Sequence, residues 1–189
     1  ESAISRRIHL DAVGGVAGDM FVAAMLDAHP GEADGTVAAI RAAGLPQSIN
    51  LRVLPHDDHI LTGTCFDVTL PAKNSSDSHT PFRALRARLA ESDMLTGTRE
   101  RAQDIFARLA VAEGAVHGVD PEDVTFHEVG AWDSIADIVG AAHLIEQSGA
   151  ARWSVSSLPM GSGKVKSAHG DLPLPAPAVV ELLKGFTLH

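Results

Sequence analysis

The chain has 189 residues, 45% of them hydrophobic, which is enough for one sizeable core. Aromatic residues are only 4%, so that core must be mostly aliphatic and alanine-rich. A formal net charge of −9 argues against nonspecific nucleic-acid binding, no run approaches the ~20 apolar residues of a membrane helix, and the single cysteine, Cys65, excludes an internal disulfide and suits a reducing cytoplasm.

The predicted elements follow in chain order. Arg6 to Asp11 reads as a short strand entering the glycine turn Gly14-Gly15-Val16-Ala17-Gly18. Phe21, Ala24, Met25 and Ala28 then recur at helical spacing until His29-Pro30-Gly31 breaks the pattern. A second helix is predicted over Asp34 to Ala43, stopped by Gly44 with Pro46 beyond. Asn50 to Leu54 and Leu61 to Leu70 read as paired strands, with Cys65 a small core residue of the second. The polar stretch 72–80 reads as a mobile loop and is the only candidate boundary. From Pro81 onward Phe82, Leu85 and Leu89 share a face, and a long apolar stripe runs from Ala102 to Val116, ended by Gly118. Asp120-Pro121-Glu122-Asp123 opens a turn with a capping aspartate. Ile135, Ile138, Val139, Ala142 and Ile145 mark a helix starting near Asp133 and ended by Gly149. Trp153 to Ser157 reads as a strand, Pro159 to Gly170 as a glycine- and lysine-rich loop, and Ala178 to Lys184 as a last short helix. This mixture predicts a single compact α/β domain, with α+β as the alternative, in which helices pack on a mixed sheet. The N-terminus has no signal-peptide pattern and no initiating Met, as expected of a fragment or trimmed chain.

Three segments carry candidate chemistry. In the first glycine turn, Gly15 and Gly18 let backbone amides converge on an anion at a helix N-terminus, and the flanking Asp11 and Asp19 can hold a divalent cation. The spacing is neither a dinucleotide fingerprint nor a phosphate loop followed by lysine, and Asp19 equally serves as a complement to the helix dipole. The second segment, Phe126 to Asp137, places one imidazole and three carboxylates within a short span. His127, Glu128 and Asp133 are the catalytic candidates; His127, Glu128 and Asp137 are also metal candidates. The H-E-x-x-H pattern of zinc proteases is absent, and Asp133 has an alternative role as the helix N-cap. Asp137 lies inside an apolar helix and needs a partner: a cation, a backbone amide or His143. The third segment, 161–170, offers Gly161, Gly163, Lys164 and Lys166 to a phosphate or carboxylate, with His169 as a further metal candidate; an ordinary basic surface hairpin is its alternative.

Taken together these stretches resemble the nickel insertion (LarC) family. The resemblance rests on His9-Leu10-Asp11 with Gly15 to Met20, Val116 to Val119, Phe126 to Ala131, Asp133-Ser134-Ile135, Asp137 to Ala142, Leu158 to Gly163, Ala168-His169-Gly170 and Pro175 to Ala178, in family order over most of the chain. It implies a cytoplasmic, CTP-dependent enzyme, a nickel-inserting lyase (cyclometallase). Such an enzyme places nickel into pyridinium-3,5-bisthiocarboxylic acid mononucleotide, in maturation of the nickel-pincer cofactor of lactate racemase. It also implies Mg or Mn with CTP and a C-terminal CTP-associated domain that these residues do not include; a homo-oligomer is expected, and charge and hydropathy predict no nucleic-acid or membrane partner. The sequence departs from the family pattern at the usual histidine-rich loop, where Ser75 to His79 keeps one histidine, and at Thr125, which stands where the family has histidine. The alternatives are a non-catalytic nickel- or nucleotide-binding module and an unrelated enzyme of a phosphate-ester metabolite.

Overall fold

The computed structural model describes residues 6–71, 80–126, 131–167 and 170–189. The order of elements is β1 (Arg7–Leu10), α1 (Gly18–Ala28), α2 (Ala33–Ala42), β2 (Asn50–Asp57), β3 (Thr62–Thr69), β4 (Thr80–Pro81), α3 (Phe82–Ala90), α4 (Thr96–His117), β5 (Thr125–Phe126), α5 (Trp132–Ser148), β6 (Arg152–Val155), β7 (Lys164–Ser167), β8 (Gly170–Pro173) and α6 (Pro177–Leu182). The α/β expectation holds, and parallel and antiparallel pairing both occur. They occur in separate two-stranded ladders: β1 with β6 is parallel, while β2–β3, β4–β5 and β7–β8 are antiparallel. The segment predicted as a glycine-lysine loop, 159–170, contains β7 and the first residue of its partner β8, and the two-residue strands β4 and β5 are too short to leave a periodic signal. The mobile-loop expectation at 72–80 falls largely outside the described residues, except that Thr80 begins β4.

The core is aliphatic, as composition requires. Val22 and Leu26 of α1, Ile40 of α2, Leu85 and Leu89 of α3, and Ile135, Val139 and Leu144 of α5 are fully or almost fully buried; Phe106 of α4 is the largest side chain there. Helix α5 is the hub, packed by α1, α2 and α4. Gly140 lets α1 and α2 close on it: a Cβ at that position would stand 3.2 Å from Val22 Cγ2 and 3.3 Å from Ile40 Cδ1. Among the described residues no helix is long and apolar enough to cross a membrane.

Connectivity decides where a site can form. Helix α1 follows β1 and α5 precedes β6, and the two strands run parallel. The N-termini of α1 and α5 therefore lie at the carboxyl edge of the β1–β6 pair, which is where ligands bind in parallel α/β arrangements.

Candidate functional site

Two loops leave that edge and are tied to each other. The Ser156 amide donates to the Leu10 carbonyl at 2.9 Å, and the Ala12 amide donates to Ser156 Oγ, also at 2.9 Å. The first loop then reaches α1, and Gly18 meets Asp137 of α5. A Cβ on Gly18 would lie 2.6 Å from Asp137 Cβ and 2.8 Å from Asp137 Oδ2. No side chain fits in that space, so glycine at 18 is a condition of the two helix starts meeting. The sequence presents Gly18 as an anion-cradling residue; in the structure its role is steric.

The contact gathers three carboxylates. Burial, with the charges of Asp19 and Asp133 adding to it, pushes Asp137 up to about 7, against a weak opposing hydrogen bond from the Asp19 backbone. Asp137 Oδ1 is buried without a hydrogen-bond partner. Of the three partners expected for Asp137, the backbone amide is the one found. His143 faces elsewhere: its Nδ1 is 3.4 Å from Thr98 Oγ1 and its Nε2 is 3.7 Å from Glu32 Oε2. Burial holds the His143 imidazole below its usual range. Asp133 is not the N-cap; Ala131 is, and Asp133 Oδ1 accepts from the Ser134 amide. Asp19 Oδ1 likewise accepts from the Met20 amide, in keeping with a dipole complement in the first turn of α1. Asp11 lies exposed just past the end of β1.

Asp137 and Gly18 open onto a cleft of about 590 Å³ that also has Val16, Ile105, Arg108, Leu109, Ile138 and Leu182 in its walls. The first glycine turn and the start of α5 thus share one pocket. The third segment does not join them. Lys164 and Lys166 are exposed on β7, whose described packing is chiefly with its own partner β8. Gly163 shapes the approach to that hairpin at φ +102°, and Gly161 sits near Leu174. Gly15, at φ +97°, donates its amide to Ala12 within the turn, so that amide is not free for an anion. His127, Glu128 and His169 lie outside the described residues. Among the described residues no group of three or more His, Cys, Asp or Glu side chains is arranged to hold a metal ion. The residues that sequence reasoning missed are Ser156, whose hydroxyl gives no pattern, and Arg108, which looks like one more solvated charge on a long helix.

Comparison with known proteins supplies the family. The family described as nickel insertion protein matches residues 8–188. Proteins carrying that description include one from Myxococcus xanthus, 40% identical over 182 residues that cover 95% of this chain and 45% of the relative. Another, from Geobacter metallireducens, is 42% identical over 184 residues, 96% of this chain and 46% of its own. A third, from Citrifermentans bemidjiense, is 43% identical over 182 residues, 95% and 46%. The chain spans about half the length of these relatives. No solved structure matches it.

Proposed function

The chain belongs to the nickel insertion protein family, and from that premise we propose that it takes part in placing nickel into pyridinium-3,5-bisthiocarboxylic acid mononucleotide, a CTP-dependent cyclometallation in the cytoplasm. Nickel and the nucleotide are both substrates in this reading. A bond between nickel and a ring carbon replaces a carbon–hydrogen bond, so one proton must leave the ring. The base proposed for it is Glu128 or His127, just ahead of α5. The two sulfurs of the substrate hold the ion on either side of that carbon, and imidazole and carboxylate donors suit its delivery.

The observation that carries the reading is the seating of Asp137 on Gly18, which brings the acidic start of α1 against the acidic start of α5. A partly buried carboxylate pressed by two others, with one oxygen unpartnered, is a place where a cation relieves repulsion. The described carboxylates do not form a complete ligand set, so His127, Glu128 and His169 are the donors that would complete one. For Mg or Mn with CTP the fit is poor. Asp11 and Asp19 are exposed and Asp19 Oδ1 is bonded to its own helix, so the two do not make a site for that ion.

A second reading is a module that holds nickel or nucleotide and turns over only when joined to further chain. It is favoured by the coverage of about half of each relative. Nickel titration by calorimetry tests the metal assignment. A His127→Ala, Glu128→Ala double variant should bind nickel at least about tenfold more weakly, the loss of about 1.4 kcal/mol or more. Unchanged affinity removes the assignment. Incubation with nickel, CTP and the bisthiocarboxylate nucleotide, followed by mass spectrometry for the nickel adduct, separates the enzyme from the module.

A further inference from the structure

The cleft that opens beside Asp137 and Gly18 is also lined by Arg108 of α4, the one cationic side chain among its described lining residues, and by the apolar Ile105, Leu109, Ile138 and Leu182. Arg108 and Leu182 also line a neighbouring groove of about 740 Å³ between α4 and α6, so the two depressions meet at this arginine. Its Nε donates to Asp104 Oδ2 at 2.8 Å, one helical turn away. That bond engages one edge of the guanidinium and leaves its two terminal amino groups for another acceptor, since an arginine carries five donors in a planar fork. Among the described residues Arg108 makes no second ion pair. At about 590 Å³ the cleft has the volume of a small-molecule site and the make-up of one, mostly apolar with a few placed charges.

We propose that this cleft binds a planar-ringed mononucleotide lengthwise, with its phosphate monoester on Arg108, its ring against Ile105, Leu109 and Ile138, and its reacting edge toward Asp137. Arg108 is then the phosphate anchor of this domain. The lysines of the β7–β8 hairpin do not line the cleft and are not needed for that contact. The orientation follows from charge: a phosphate placed beside Asp19, Asp133 and Asp137 meets three carboxylates and no cation, whereas at Arg108 it meets a guanidinium fork with a single carboxylate, Asp104, on its other edge. The proposal deepens the nickel-insertion reading, because it treats the carboxylate corner as the place of reaction.

The test needs neither nickel nor turnover. Nicotinic acid mononucleotide and its riboside, which keeps the ring and carboxylate but lacks phosphate, are titrated by calorimetry into the chain and into Arg108→Gln and Arg108→Lys. The wild-type chain should bind the nucleotide about tenfold or more tightly than the riboside, the worth of one charge-assisted hydrogen-bonded contact. Arg108→Gln should remove that difference and leave riboside affinity unchanged; Arg108→Lys should keep part of it. Arg101→Gln, which removes a cation about two turns earlier on α4 that is paired with Glu146 of α5 and does not line the cleft, should change neither. The Arg108 side chain is 71% exposed, so its variants fold, and circular dichroism checks this. The proposal is overturned if the wild type does not bind the nucleotide, if Arg108→Gln binds it as tightly as wild type, or if nucleotide and riboside weaken together. Failure of the nickel reading would be seen separately, as absence of a nickel adduct while the phosphate preference at Arg108 persists.

Discussion

The carboxylate corner and the lysine hairpin both looked like ligand-binding loops rich in glycine, yet the fold treats them differently. The corner is assembled by contacts between segments far apart in the chain: Gly18 against Asp137, and Ala12 to Ser156. The hairpin is assembled by its own ladder, from Lys164 opposite Pro173 to Ser167 opposite Gly170. The difference teaches that charge and glycine in a loop do not make a site; closure by independent elements does. A substitution in the corner should therefore propagate, and one in the hairpin should stay local.

The comparison is broken most directly at Gly18. Gly18→Ala forces a Cβ into the space held by Asp137 and should lower unfolding free energy by about 1–3 kcal/mol, read from urea denaturation. A loss near zero would mean that α1 and α5 separate easily and that the corner is not closed. Ser156→Ala removes the acceptor of the Ala12 amide and should destabilise by about 1 kcal/mol. Asp137 sharpens the comparison through pH. Its folded pKa, about 7, lies above the ordinary carboxylate value, so the folded state holds the proton more tightly than the unfolded chain does. Its contribution to stability is therefore fully present below about pH 4, the unfolded value, and is lost as pH rises through 7. Thermal melts should show Asp137→Asn more stable relative to wild type at pH 8 than at pH 5; a difference that does not change with pH would count against the raised pKa. Lysine replacement in the hairpin should have the smallest effect. Lys164→Gln with Lys166→Gln should stay within about 0.5 kcal/mol of wild type, as exposed substitutions do.

Much of the fold was legible because helices announce themselves locally. The spacing of Phe82, Leu85 and Leu89 gave α3, and Gly118 and Gly149 ended α4 and α5 in the left-handed conformation expected of such stops. The β4–β5 pair was not legible, since Thr80–Pro81 and Thr125–Phe126 become strands only by lying beside each other. The hairpin was hidden because Lys164-Val165-Lys166 has too few residues for alternation to be seen against a glycine-rich background. At the site, the sequence singles out Asp137 as a carboxylate inside an apolar helix, and the structure buries it in part with one oxygen unpartnered. Nothing in the sequence signalled that its neighbour would be Gly18, because steric complementarity between two helix starts exists only after both have packed. Arg108 was hidden for the same reason: its i,i+4 pairing with Asp104 is what any solvated helix shows, and only the position of α6 turns that surface into a wall.

The tie between Ala12 and Ser156 has a kinetic consequence. Since the loop after β1 donates to the loop after β6, while Ser156 in turn donates back to Leu10, neither can swing outward without breaking bonds to the other. Amide hydrogen exchange at Ala12 and Ser156 should then follow a single opening event, with matched rates that slow together when a ligand is bound. Opening of this edge would then be one concerted motion of both loops, held shut by the hydroxyl and the amide of a single serine.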